Sequence, residues 1–118
     1  MITVEQIAQA ALDGDALHVR SLVLDFLRQN PQLEGVPRPA TTDQTVLAAT
    51  AAIVELLAQR RQQRPPRWTE GVGTVSPPVY LLKSAHKMRR LREMCQAEAP
   101  EPLRRRGFYA PANYLEFA

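Results

Sequence analysis

The chain is poor in the residues that most often carry chemistry. Its 118 residues include one cysteine and two histidines, and a single cysteine excludes an internal disulfide bond. The longest strongly apolar run, residues 46–58, is interrupted by Thr50 and Glu55, so it is too short and too polar to span a bilayer. The N-terminal residues lack a basic region followed by an apolar stretch, so we expect no signal peptide and a reducing, cytoplasmic location.

No catalytic or metal-binding pattern stands out. His18 and His86 have no His, Cys or carboxylate at ligand spacing, so a zinc site is not predicted. Cys95 has no evident base partner, and a small core residue is the simpler interpretation. Residues 70–75, "EGVGTV", contain two glycines but neither a phosphate-loop lysine nor a dinucleotide fingerprint. We therefore expect a protein that is not an enzyme and that uses no metal ion and no cofactor.

What the sequence does contain is helical periodicity. Apolar residues recur at helical spacing in three segments, 3–14, 16–30 and 46–63. Thr3 and Gln6 have the spacing of a capping box, and Asp15 can cap the second segment. The third segment starts near residues 41–44 and carries the largest apolar mass, so it is predicted to be the central helix.

Two further expectations concern the neighbouring helices. The second helix is expected to bury a stripe that includes Leu17, Leu24 and Leu27 and is widened by Val23 and Phe26. A fourth helix is predicted from a cap at Ser76 through residues 79–98, because Pro follows Ser76 at the first helical position, and a break near Ser84 is the alternative to one continuous helix. That helix is expected to turn several side chains inward: Tyr80, Leu81, Met88, Leu91 and Cys95.

The length favours a single helical domain over residues 1–118. Proline-rich segments at residues 31–40 and 65–76 are predicted to be connections between helices. No alternating run is long enough for a strand, so the predicted fold class is all-α: a small bundle of about five helices. Residues 100–118 form a basic and aromatic C-terminal segment that is expected to dock on the bundle.

The charge is unevenly distributed along the chain. Residues 60–106 contain twelve Lys/Arg and four Asp/Glu, a net charge of +8, and the remainder carries −5, which together give the overall +3. Such a segment favours an anionic partner, which is either a nucleic acid or an acidic protein face. A solvated arginine-rich surface is the simpler alternative.

The densest positive charge, at residues 104–106, stands beside aromatic residues at the end of the chain. Arginine and aromatic residues are enriched where protein interfaces carry their binding energy. The predicted partner-binding residues are Lys87, Arg90, Arg104, Arg105, Arg106 and Tyr109. Phe108 and Phe117 are instead expected to cover the core.

Three segments of the second half resemble a small bacterial protein family: "PPRWTEGVGTV" at residues 65–75, "VYLL" at 79–82 and "EAPEPLRRRGFYAPANYLEFA" at 98–118. The resemblance rests on a Pro-Pro-x-Trp-Thr turn and on a closing motif of Ala-Pro-Glu-Pro-Leu followed by three arginines and a glycine. It covers about half of the chain. Members of that family occur as free-standing helical proteins and as the C-terminal part of helix-turn-helix regulators.

The resemblance implies a role in protein binding and brings no catalytic residues with it. Free-standing members resemble antitoxin-like partners of nucleotidyltransferase-like toxins. The chain lacks an obvious DNA-binding headpiece like that of the longer relatives, so operator binding is not implied.

Two hypotheses therefore stand. The protein is either an antitoxin-like inhibitor that covers the acidic cleft of such a partner or a nucleic-acid-binding regulatory module that uses the basic residues 60–106. A steep loss of affinity with salt on any DNA sequence would indicate the second hypothesis.

Overall fold

A computed structural model describes residues 2–116, apart from the side chain of His86. In this part of the chain the predicted all-α fold is confirmed. It contains five α-helices: α1 (Val4–Leu12), α2 (Ala16–Gln29), α3 (Gln44–Arg60), α4 (Arg89–Glu98) and α5 (Glu101–Arg104). Short 3₁₀ turns at Leu33–Gly35, Arg67–Gly71 and Lys83–His86 lie between them, with two short strands, β1 (Val79–Tyr80) and β2 (Phe108–Tyr109). The expectation for Phe117 lies outside the described residues.

Helices α1 and α2 form a hairpin whose two caps were predicted correctly. The Thr3 side chain accepts a hydrogen bond from the Gln6 N–H, and the Gln6 side chain accepts one from the Thr3 N–H at 2.8 Å. The Asp15 carboxylate accepts a hydrogen bond from the His18 N–H at 3.1 Å. Gly14 joins the helices with a φ of +75°, a conformation that side chains other than glycine rarely adopt.

The buried stripe of α2 agrees with the prediction at Val23, Phe26 and Leu27 and differs from it at Leu17. Leu17 is 81% exposed, because it lies in the first turn of α2, before the part of the helix that packs on the core. The buried positions are Val19, Val23, Phe26 and Leu27. Their spacing of three and four residues still gives the single apolar face that a packed helix needs.

Helix α3 is the central helix, as predicted. Every residue from Leu47 to Ala58 is buried, and both α1 and α5 pack against it. Its four alanines between residues 48 and 52 allow close approach of the neighbouring helices. Although α3 is the most apolar helix, none of the helices within residues 2–116 combines the length and the apolarity that a bilayer crossing needs.

The connection at residues 31–40 is fastened to the core. Leu33 is fully buried and Val36 is 5% exposed, so two apolar side chains of this proline-rich segment pack into the core. The indole N–H of Trp68 donates to the Val36 carbonyl at 2.8 Å. The Gln63 side chain accepts from the Leu33 N–H at 2.9 Å, so both loops are bound to the end of α3.

The predicted fourth helix is wrong over its first half. Residues 79–80 form a strand that pairs in parallel with β2 in the register Val79 to Phe108 and Tyr80 to Tyr109. The helix begins only at Arg89, so Met88, which is 54% exposed, does not face inward as predicted. The strand forms because the C-terminal segment supplies backbone acceptors, and this partner lies far away in sequence.

The C-terminal segment is docked on the bundle, as expected. Phe108 is fully buried, and Tyr114 and Leu115 are also buried. The Arg60 guanidinium at the end of α3 donates to the Ala112 carbonyl at 3.0 Å and also to the Tyr114 carbonyl. Burial lowers the pKa of Arg60, and the nearby Glu116 carboxylate partly offsets that effect.

Gly107 is the position where docking requires glycine. Its φ is +89°, and a Cβ atom there would lie 2.5 Å from the Val75 carbonyl oxygen. The neighbouring Arg106 carbonyl accepts from the Val75 N–H at 3.0 Å. The turn therefore holds the 72–75 segment directly against the arginine run.

Candidate functional site

The arginine run is organised around one buried carboxylate. Glu55 lies on the inner face of α3, and its side chain is 6% exposed. Its Oε1 atom is 2.5 Å from Nη2 of Arg106, whose side chain is 5% exposed. The same Nη2 donates to the Thr69 carbonyl at 2.7 Å. The expectation that Arg106 lies at a partner-binding surface is therefore wrong, because Arg106 holds α3, the C-terminal segment and the 65–76 loop together.

Arg105 has an intermediate position between the core and the surface. Its Nη2 atom pairs with Oε2 of Glu55, and its Nη1 atom is 3.7 Å from Oε1 of Glu101. Its side chain is 49% exposed. Arg105 is thus anchored by the buried carboxylate and remains accessible at the surface.

Two carboxylates face the two guanidinium groups of this cluster: the buried Glu55 and the exposed Glu101. Glu55 is shared by the Arg105 and Arg106 guanidinium groups. Burial lowers the pKa of Arg106, although the Glu101 carboxylate raises it. Burial also lowers the pKa of Arg105, and the charge of Arg106 lowers it further. Nε and Nη1 of Arg106 are buried and have no acceptor among the described residues.

A cleft of about 370 Å³ adjoins the cluster. It is lined by Arg105 and Arg106 on one side and by Val72, Gly73 and Thr74 on the other, with Glu70 also at its wall. Arg104, the first residue of the run, is exposed at the end of α5. Arg104 and Arg105 are therefore accessible as predicted, whereas Arg106 is not.

Tyr109 lies in the strand pair and forms a ring pair with Tyr80. The ring centroids are 5.5 Å apart with an interplanar angle of 48°, which is a favourable tilted geometry for aromatic side chains. Both tyrosines are half-buried. The Gln96 amide on α4 donates to the Tyr80 hydroxyl, so the ring pair is held between the sheet and α4.

Lys87 and Arg90 flank the start of α4, and both are exposed. Neither forms an ion pair with another residue in the described part of the chain. The first turn of α4 contains no acidic residue, and Met88 at its N-cap supplies no side-chain hydrogen bond. The N-terminus of a helix carries a partial positive charge of its own. The cations add to that charge, so this end of α4 is strongly positive.

We use the name tyrosine–α4 surface for four residues that are at least partly exposed: Tyr80, Lys87, Arg90 and Tyr109. They lie in the strand pair, in α4 and just after the 3₁₀ turn that precedes α4, and these elements contact one another. The structure thus brings three of the six predicted partner-binding residues onto adjoining elements. Arg105 and Arg106 belong to the separate arginine cluster with Glu55.

The structure also places the residues that the sequence analysis considered for metal binding and nucleophilic chemistry. Within residues 2–116, no three His, Cys, Asp or Glu side chains are grouped as a metal site requires. Cys95 is buried, and burial, with a further contribution from Glu98, raises the pKa of its thiol. A thiol with a raised pKa is a poor nucleophile near neutral pH.

Sequence reasoning treated Glu55 only as an interruption of an apolar run. A signal was nevertheless present, because a lone carboxylate among buried helix positions requires a compensating partner. The sequence offers twelve basic residues between positions 60 and 106, and nothing in their local pattern distinguishes Arg105 and Arg106 from the others. The three-dimensional contact alone identifies them.

Comparison of this chain with protein-family models, with curated proteins and with solved structures gave no match.

Proposed function

We propose that the protein is a non-catalytic interaction protein that binds a partner protein through the tyrosine–α4 surface. The observation that carries this proposal is the half-buried Tyr80–Tyr109 ring pair, held on backbone-paired strands that contact α4 and the 3₁₀ turn before it. Aromatic side chains held in one geometry lose little conformational entropy on binding, and tyrosine and arginine are enriched at binding hot spots.

The charge of this surface favours an acidic partner. Lys87 and Arg90 have no carboxylate partner in the described chain, so an acidic face would add favourable contacts and accelerate encounter. A nucleotidyltransferase-like protein has carboxylates that hold Mg²⁺ in its cleft. An antitoxin-like inhibitor of such a protein, as the family resemblance implies, fits this chemistry.

A nucleic-acid-binding module is the second candidate. Lys83, Lys87 and Arg90 are exposed near one end of α4, and phosphate backbones are attracted to such clusters. This candidate gives the tyrosine pair a different role, the stacking of unpaired bases. It also predicts a much steeper salt dependence than binding to a protein.

The proposal predicts that a photoreactive phenylalanine analogue at position 109 will crosslink to one protein in the native host. Mass spectrometry of the adduct identifies the partner, and titration of the purified pair then gives the affinity. Tyr109→Ala is expected to weaken binding about 30-fold or more, the loss of roughly 2 kcal/mol typical of a hot spot. Lys87→Gln with Arg90→Gln should mainly slow association and reduce its salt dependence.

The matched control is Arg38→Gln with Arg61→Gln. This variant removes two positive charges, as the Lys87 and Arg90 variant does, but from exposed positions on other elements, so it should leave the affinity unchanged.

A nucleotidyltransferase-like partner should lose activity when the wild-type chain is added, but not when Tyr109→Ala is added at the same concentration. Wild-type affinity for all variants would contradict the proposal. Binding of generic 20-base-pair DNA that falls steeply between 50 and 200 mM salt, with no protein adduct, would support the second candidate.

A further inference from the structure

We propose that the cleft between the arginine cluster and the Val72–Thr74 segment binds a phosphate group. This site is separate from the tyrosine–α4 surface and does not depend on the proposed protein partner. Its walls are the Arg105 and Arg106 side chains and the backbone of an exposed loop.

The first observation is the incomplete hydrogen bonding of Arg106. Its side chain is 95% buried, yet Nε and Nη1 have no acceptor within residues 2–116. Buried charged donors without acceptors are costly and uncommon in native proteins. Because Arg106 lines the cleft, an oxyanion there would offset its charge. Nε and Nη1 are themselves covered, so they would donate to that oxyanion only after the side chain shifts toward the cleft.

The second observation is independent of the arginines and concerns the opposite wall. The backbone N–H groups of Gly73 and Thr74 have no acceptor in the described part of the chain, whereas those of Val72 and Val75 on either side donate to backbone carbonyls. The space where Gly73 would carry a Cβ atom is empty to 4 Å. Consecutive free N–H groups and a threonine hydroxyl are common parts of anion-binding loops.

The third observation is the charge. Glu55 is the one buried carboxylate of the cluster within the described residues, and it is divided between two guanidinium groups, while the second carboxylate, Glu101, is 58% exposed and 3.7 Å from Arg105. Arg105 is half exposed, so an anion in the cleft would compete with Glu101 for its guanidinium. Glu70 at the cleft wall opposes an anion, so its carboxylate should limit the affinity.

Phosphate fits these donors better than a carboxylate does. The residues that line the cleft carry guanidinium, hydroxyl and backbone N–H donors and come from two segments of the chain. A tetrahedral group with three free oxygens can accept from donors in several directions at once, whereas a planar carboxylate offers two oxygens in one plane. The volume of about 370 Å³ leaves room for a phosphate group attached to a larger molecule.

The test is NMR titration of the full ¹⁵N-labelled chain with inorganic phosphate, at an ionic strength held constant with sodium chloride. We expect saturable shifts of the Arg106 Nε–H signal and of the Gly73 and Thr74 amide signals. Adenosine monophosphate and acetate are titrated in parallel. Tighter binding of the nucleotide than of phosphate would identify a phosphate carried by a larger molecule, and equal binding would identify the free ion.

Three variants that spare Arg106 sharpen the test. Glu70→Gln should tighten phosphate binding by up to about fivefold, since it removes one exposed like charge. Arg105→Gln should weaken binding about tenfold or more, the effect of losing hydrogen bonds from a charged donor. Thr74→Val keeps the side-chain shape and should weaken binding severalfold. Thermal melts of each variant establish that the fold is retained.

Three results would overturn the proposal. The first is a response that does not saturate or that sodium chloride alone reproduces. The second is acetate binding as tightly as phosphate, which would make the cleft a carboxylate site. The third is phosphate affinity that is unchanged in both Glu70→Gln and Arg105→Gln, which would place the bound ion elsewhere.

Discussion

Replacing Glu55 with alanine is expected to lower the free energy of unfolding by about 3–5 kcal/mol, the usual cost of removing one partner from a buried ion pair. The Glu55 carboxylate is 6% exposed and contacts both Arg105 and Arg106. Arg105 can turn to solvent, but Arg106 cannot without opening the core. Alanine is the best helix former, so the loss would not come from α3 itself. Chemical denaturation monitored by circular dichroism measures the effect.

Two comparisons isolate the buried pair. Glu101→Ala removes a 58% exposed carboxylate that lies 3.7 Å from Arg105, and it should cost no more than about 1 kcal/mol. The double variant Glu55→Leu with Arg106→Met replaces the pair by apolar side chains and should recover most of the lost stability. Equal melting of Glu55→Ala and wild type would show that the buried pair does not form.

The three consecutive arginines differ in burial, so substituting them should differ in its effect on stability. Sequence reasoning expected all three to lie at the surface. Arg104→Ser should change stability by less than about 0.5 kcal/mol, as exposed substitutions usually do. Arg106→Ser removes the buried ion-pair partner of Glu55 and leaves only the half-exposed Arg105 beside its carboxylate among the described residues, so it should cost several times more.

The parts of the fold that could be predicted depend on neighbours in sequence. The Thr3 capping box spans four residues, the Asp15 cap reaches three residues ahead, and the apolar mass of α3 is continuous. In each case the pattern and the interaction occupy the same short stretch. Local physical chemistry is therefore enough to place α1, α2 and α3.

The residues that were misplaced depend on distant contacts. Val79 and Tyr80 are extended because Gly107 and Tyr109 supply carbonyl acceptors for the N–H groups of Val79 and Leu81. These partners are separated by 28 residues, and no local pattern announces the pairing. The helical periodicity of residues 89–98 was real, but extending it back over β1 was wrong.

The candidate site shows the same division. Lys87 and Arg90 are exposed as expected, because they lie among polar residues at a helix end, and Tyr109 is half-buried in a strand that was not predicted. Arg106 differs from Arg104 by two residues, yet it points into the core where Glu55 lies. A buried acid on one helix and a basic run fifty residues later form one interaction, and only the fold brings them together.

Leu57→Asp is expected to unfold the domain. Leu57 is fully buried on α3, where truncation of a leucine alone costs about 2–5 kcal/mol. The aspartate adds an ionised group in an apolar environment without a partner, a further cost of several kcal/mol. The sum is comparable to the whole stability of a typical domain, about 5–15 kcal/mol. Circular dichroism at 25 °C should show loss of helical signal, and no cooperative melt should remain.

The chain supplies a matched control for this change in Leu17→Asp. Leu17 is 81% exposed and is the second residue of α2. The same substitution there removes no buried surface, and it places a negative charge near a helix N-terminus, where such charges stabilise by about 0.3–1 kcal/mol. Leu17→Asp should therefore melt at or slightly above the wild-type temperature. Unfolding by both variants, or by neither, would contradict the assignment of α3 as the buried centre and of Leu17 as a surface residue, because the two substitutions are chemically identical and differ only in where the fold places them.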